Sequence, residues 1–166
     1  MPGTSAYEDS QAKYYDLIQL DVSPACVAQP STALEVATIV KAATDNDIPF
    51  AIHSGGHIWI KEGSNIGSQG FTLDLVNLQQ YELADDKKSL KLGPGWRWGP
   101  IFTKLAEQNL HVIGGRDSDV GVGGFLLGGT SCSALVGYSR ALTTYLSHRW
   151  HFLPFLRARH RFPEHH

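Results

Sequence analysis

The amino-acid sequence predicts an α+β fold, a small mixed sheet with flanking helices. Three observations carry the prediction. Two stretches have helical apolar spacing, several runs of four or five residues have strand composition, and glycine gathers where strands give way to loops. With 166 residues the chain is long enough for one domain that buries a core without disulfide or metal support. Its 42% hydrophobic and 18% charged residues and its net charge of -2 describe a globular protein, not a disordered or polyionic one.

Residues 1–23 read as an N-terminal extension. Met1 to Tyr15 has no basic region followed by an apolar run, so no secretory signal is expected there. No segment approaches the roughly 20 apolar residues of a membrane span, and the default compartment is cytoplasmic. The first predicted helix covers Thr32 to Ala43, with Ser31 as N-cap and Leu34, Ala37, Ile39 and Val40 on one face, and ends near Asp45-Asn46. Pro49 to Ile52 reads as a short buried strand running into His53-Ser54-Gly55-Gly56-His57. After a polar loop over Gly63 to Gly70, strands are predicted at Phe71 to Leu75 and Tyr81 to Ala84. Asp85 to Lys88 then turns the chain into Ser89 to Leu92, which closes a hairpin. Gly93-Pro94-Gly95 breaks that strand, and Trp98 to Gln108 repeats the helical pattern through Ile101, Phe102 and Leu105. His111 to Ile113 is the last short strand before a second glycine loop, Gly114 to Gly129, which opens a helix around Phe125 to Leu127.

Of the 17 glycines, most fall in the clusters Gly55-Gly56, Gly93 to Gly95, Gly114-Gly115 and Gly121 to Gly129, which suggests backbone approaching a ligand. A dinucleotide fingerprint is excluded, because Leu126 takes the third glycine position of Gly121-Val122-Gly123-Gly124-Phe125-Leu126 and no acid follows at ribose distance. A phosphate-binding Walker loop lacks its Gly-Lys-Ser/Thr ending. His53 and His57 are four apart, but Ser54-Gly55-Gly56 between them makes a helical metal face improbable, so no metal is expected. Cys26 and Cys132 have no metal or redox spacing, and a single disulfide between them stays open. Two glycine loops presenting peptide N–H groups to an anionic group such as a pyrophosphate remain. From chemistry alone His57 reads equally as part of that site and as a loop histidine bonded to backbone.

Pro49 to His57 resembles the pyrophosphate loop of the vanillyl-alcohol oxidase and p-cresol methylhydroxylase superfamily, in particular its berberine bridge enzyme-like branch. Four further motifs agree in order. They are Pro24-Ala25-Cys26-Val27 with the Pro30 helix, Thr72 to Leu75, Gly93 to Gly99, and Gly114-Gly115-Arg116 with Asp119 to Gly124 and Leu127-Gly128-Gly129. The resemblance covers about Pro24 to Ser139 and implies the N-terminal part of a PCMH-type FAD-binding domain, incomplete, with FAD as cofactor. It implies an FAD-linked oxidoreductase that oxidises an alcohol, sugar or secondary-metabolite carbon, transferring hydride to flavin and electrons to oxygen. His57 matches the histidine bonded to the flavin 8α-methyl group. Ser54, Gly55 and Gly56 would hold the pyrophosphate, and Val120, Gly121, Gly123 and Gly124 would line the other side of the flavin or its ribityl chain. Two positions depart from the family. His53 stands where an arginine is usual, which replaces a permanent cation near the phosphates by one that depends on pH. Asp117 stands where doubly linked members have cysteine, so one covalent bond at most is implied.

Beyond Ser139 the composition changes. Arg140 to His166 holds five of the seven arginines and five of the eight histidines, no lysine, and Glu164 as its one acid. This stretch, 140–166, is expected to be an aberrant or disordered basic tail. The resemblance also implies that the catalytic base and the substrate wall belong to parts the sequence lacks, so no catalytic residue is assigned. Besides the oxidoreductase, whose partner would be a small-molecule substrate, the sequence is compatible with a truncated, inactive remnant and with a small interaction module bearing a basic tail. No nucleic-acid or membrane partner is expected, and nothing sets an oligomeric state.

Overall fold

The structure, a computed structural model, describes residues 1–128 and 152–156. Elements follow in the order α1 (Ser5–Gln11), a 3-10 turn (Leu17–Asp21), β1 (Cys26–Ala28), α2 (Ala33–Asp45), β2 (Phe50–His53), β3 (Phe71–Asp74), β4 (Tyr81–Leu83), β5 (Ser89–Leu92), α3 (Trp98–Ala106), β6 (His111–Val112), α4 (Val122–Leu127) and β7 (Phe152–Leu156). The α+β class is as expected, and the strands form two small sheets.

The first sheet is parallel, in the order β1-β3-β2, with Cys26 and Phe50 both opposite Phe71 and His53 opposite Asp74. Parallel neighbours need long crossovers. The helix α2 makes the first, and residues 54–70, carrying the histidine loop, make the second. The cap of α2 is Thr32, not Ser31. Thr32 Oγ1 accepts from Glu35 N, while Glu35 reaches back to accept from Ser31 N at 2.7 Å. The Thr-x-x-Glu spacing makes this reciprocal box, and Ser31 has no glutamate three residues on. The face expected to be buried is largely open. Leu34 is 78% exposed, and Ala43 is the one fully buried residue of the helix.

The central strand β3 is polar where a central strand is ordinarily apolar. Thr72, Leu73 and Asp74 are fully buried. Residues 1–23 supply the partners, and so are packed against the domain. Ser10 Oγ donates to Asp74 Oδ2 at 2.8 Å, and Tyr7 Oη donates to Pro24 O. Thr72 donates to Asn65 Oδ1, and Asn65 Nδ2 reaches Gln11, Gln19 and Val22. Gln19 also holds the histidine loop's continuation through Ile58 O and Ile60 O. These bonds tie the N-terminal segment, the loop over residues 54–70 and β3 to one another, which is how buried polar groups are tolerated.

The second sheet is antiparallel, in the order β4-β5-β7-β6. The β4–β5 hairpin forms as expected, with Tyr81 opposite Leu92. The expected tail lies outside the described residues except for the Phe152–Leu156 backbone, which is paired between β5 and β6. Trp98, Ile101 and Leu105 form one fully buried face of α3. They share a core with Leu90, Leu110, Val112 and Val122. Trp98 stacks on Phe102 and meets Phe125 edge-on. Replacing Trp98 by alanine is expected to cost about 3–5 kcal/mol of stability. Urea unfolding of the full chain checks this, and a loss below about 1 kcal/mol would contradict the packing.

Candidate functional site

His53 ends β2 and fixes where the loop begins. Its ring is buried, stacked on Tyr14 at 4.4 Å, with Nδ1 3.6 Å from Asp74 Oδ1. Gly56, at φ +66°, turns the chain immediately above it, and a Cβ there would lie 2.6 Å from His53 Nε2. Glycine is thus required at Gly56 by both conformation and space.

The second glycine loop closes against the first. Trp98 N donates to Val120 O and Val122 N to Trp96 O, which pins Gly121 beside the start of α3. From there Gly121 touches Gly55 backbone to backbone, since a Cβ on Gly121 would sit 2.5 Å from Gly55 N. Ser54 Oγ donates to Pro94 O at 2.6 Å, and a Cβ on Gly123 would lie 2.8 Å from that hydroxyl. Gly114 and Gly115 leave room for the Trp98 indole instead. Most of the clustered glycines therefore serve loop-on-loop and loop-on-tryptophan contact. Gly124 differs, with nothing within 4 Å of where a Cβ would stand.

The two loops form opposite walls of a cleft of about 670 Å³. That is within the size range of small-molecule and cofactor sites. One wall carries Ser54, Gly55, Gly56 and His57, the other Arg116, Asp117, Val120, Gly121 and Gly124, with Ile52, Trp59 and Phe125 adding apolar surface. Of the residues the sequence nominated, seven line this cleft. His53 and Gly123 do not. His53 lies behind the loop, and Gly123 is wedged between Ser54 and Pro94. Among the described residues, the peptide N–H groups of Gly55, Gly56 and His57 have no acceptor. His57 Nε2 is likewise buried without a hydrogen bond, 3.9 Å from Asp117 Oδ2 across the cleft. One face of the His57 ring is covered by Tyr15, with centroids 3.9 Å apart and planes 17° apart.

The expected pH-dependent cation at His53 is corrected by its burial. Desolvation pushes its pKa below the ordinary histidine value, Asp74 opposes this, and Arg97 and Lys13 add to the lowering. His53 is therefore neutral at pH 7 and works as a packed ring under Gly56. Sequence reasoning missed Tyr14 and Tyr15, which carry no motif and lie in the segment read as an extension. It noted Asp117 only as a departure. Cys132 lies outside the described residues, and Cys26 is a free, half-buried thiol. Among the described residues no three His, Cys, Asp or Glu side chains group as a metal would require, and no helix is long and apolar enough to cross a membrane.

Residues 24–147 match the model of the FAD binding domain. The chain belongs to this FAD-binding family. It is 40% identical over 108 residues to the FAD-dependent monooxygenase yanF of Aspergillus niger, covering 65% of this chain and 19% of that protein. It is 38% identical over 131 residues to the FAD-dependent monooxygenase drtC of Aspergillus calidoustus, covering 76% and 25%. Among solved structures, Physcomitrella patens BBE-like 1 aligns with a TM-score of 0.61 at 25% identity, over 75% of this chain and 27% of that one. Glucooligosaccharide oxidase from Acremonium strictum, described with a 6-S-cysteinyl, 8α-N1-histidyl FAD, aligns with a TM-score of 0.66 at 24% identity, over 77% and 26%. The chain spans about a fifth to a third of the length of the curated relatives it matches. The expected superfamily and FAD as its cofactor are thus borne out. The residues present fit that cofactor, with open peptide donors for an anionic group and an unpartnered imidazole nitrogen in the same cleft.

Two outcomes test the site's construction. Because an unfolded histidine takes up a proton near pH 6.5 while buried His53 resists it, the stability that His53 contributes is present above pH 6.5 and is lost as the pH falls below it. Unfolding free energies from pH 8 to 5 should fall by up to about 1.4 kcal/mol per pH unit more in the native chain than in His53→Gln. Equal slopes would refute a buried neutral His53. Separately, Gly121→Ala should destabilise the chain by about 1–3 kcal/mol, since overpacking here meets backbone and not a flexible side chain. Chemical denaturation would measure it.

Proposed function

We propose that this chain builds the flavin-holding part of an FAD-linked oxidoreductase. The enzyme would remove hydride from an alcohol, sugar or secondary-metabolite carbon and pass the electrons to oxygen, with the flavin bonded through His57. When bound, FAD supplies the electron-accepting ring that the protein's own side chains lack. Ser54, Gly55 and Gly56 hold the pyrophosphate through peptide donors, which carry no charge-burial cost. Val120, Gly121 and Gly124 line the opposite wall, Gly123 lets Ser54 approach Pro94, and His53 supports the turn from behind.

The observation that carries this reading is His57 itself. It lines the cleft at the end of the first loop, and its buried Nε2 is unpartnered and lies 3.9 Å from a carboxylate rather than a thiol at Asp117. A single link follows. In forming it, an imidazole N–H and one methyl C–H are replaced by a C–N bond, and the two protons and two electrons leave on dioxygen as hydrogen peroxide. The 8α-N1-histidyl flavin of the glucooligosaccharide oxidase supports by analogy a link through histidine, whichever ring nitrogen makes it. The two relatives named as monooxygenases favour a second reading of the same site, in which oxygen enters the substrate. Both readings share the flavin and His57 and differ at the substrate wall.

Purified chain incubated with FAD in air and then precipitated with acid should keep flavin absorbance near 450 nm, a wavelength set by the flavin ring and not by the protein. His57→Ala should lose it. Colourless native protein under these conditions would overturn the covalent assignment and favour the inactive-remnant reading.

A further inference from the structure

Two consecutive tyrosines meet two histidines four residues apart. Tyr14 stacks on His53, and Tyr15 stacks on His57. The backbone of this segment is tied to both glycine loops. Tyr15 N donates to Gly56 O at 3.1 Å. Arg97 donates through Nη2 to Lys13 O at 2.8 Å and through Nη1 to Asp119 O at 2.9 Å, so one guanidinium spans the segment and the second loop. The segment lies before residue 24, where the family match begins.

The two tyrosines have different work. Tyr14 is buried, donates its hydroxyl to Ser64 O and belongs to the core under β3. Tyr15 is 59% exposed. Burial therefore gives the fold little reason for an aromatic ring there, and the contact that uses the ring is the His57 stack. The His57 imidazole needs such a contact. Its χ2 torsion is broad and roughly two-fold, and no hydrogen bond among the described residues holds Nε2. Tyr15 on one face and Asp117 at 3.9 Å are what orient it.

We propose that Tyr15 is a positioning residue for His57, whose ring holds the imidazole in the cleft wall in one orientation for bonding to the flavin. The proposal rests on the flavin reading above. Stacked aromatic pairs of ordinary strength correspond to a population factor of roughly two- to tenfold. Removing the ring should slow covalent attachment by about that factor, whereas removing only the hydroxyl should not.

The test uses the full chain with FAD as the probe, comparing native protein, Tyr15→Phe and Tyr15→Ala. Three quantities are read: the limiting rate of acid-stable flavin incorporation, the FAD concentration at half that rate, and the NMR shifts of the His57 ring protons in flavin-free protein. Native chain and Tyr15→Phe should show ring-current upfield shifts and equal rates. Tyr15→Ala should lose the shift and incorporate flavin roughly two- to tenfold more slowly, with an unchanged half-saturating FAD concentration. A merely structural role would raise the half-saturating FAD concentration as well. The absence of an upfield shift in native protein, or native-rate incorporation in Tyr15→Ala, would overturn the proposal while leaving the flavin reading intact. An upfield shift with no incorporation in any of the three proteins would overturn the flavin reading, and with it this role for the stack.

Discussion

Gly55 and Gly121 approach until no side-chain atom fits between their backbones, and the cleft exists because of that approach. The first loop is delivered by β2 and the second by the bridge that Trp96 and Trp98 make with Val120 and Val122. The two sheets share no strand, and the glycine contact joins the loop after β2 to the loop before α4. Peptide donors face the cleft because both loops spend their side-chain allowance on touching each other. A ligand gripped this way meets backbone, which is fixed by the fold and indifferent to rotamer.

Behind that contact lies a polar interior that a parallel sheet rarely tolerates. Asp74 accepts from Ser10, from Gln29 and from the peptide N–H of Val76, and His53 stands 3.6 Å away. The carboxylate is thereby paired by neutral donors while His53 stays uncharged. Replacing a permanent cation by a buried imidazole shifts the role of this position from charge to shape. Permanent cations at the loops include Arg116, which lines the cleft from the second loop, and Arg97, spent on carbonyls of Lys13 and Asp119.

The regular elements were legible because their signals are local. Strands at Phe71 and Ser89, the hairpin, the buried face of α3 and the short last strand follow from alternation, turn chemistry and helical spacing. The shift of the α2 cap by one residue is a matter of which hydroxyl has a glutamate three positions on. What could not be read is non-local. α1 and β1 lack a periodic apolar pattern, and residues 7 to 19 find their partners some 17 to 64 positions away, through side-chain bonds that no spacing announces. In the site, the glycine clusters were legible as close approach, but not what they approach. Seven of nine nominated residues share the cleft, whereas His53 and Gly123 owe their identity to packing behind it.

The N-terminal segment couples stability to site geometry. Ser10, Gln11 and Gln19 satisfy donors and acceptors of β3 and of the loop at Asn65, while three to five residues away Tyr14 and Tyr15 lie on the two histidines. Detaching the segment would take from Asp74 and Asn65 the hydrogen-bond partners Ser10, Gln11 and Gln19. That loss adds to the buried contacts of Tyr14 in holding residues 13 to 15 against the loop. The stack of Tyr15 on the His57 ring thus depends on hydrogen bonds made at β3, and residues packed against the glycine loops lie before the first residue of the family match.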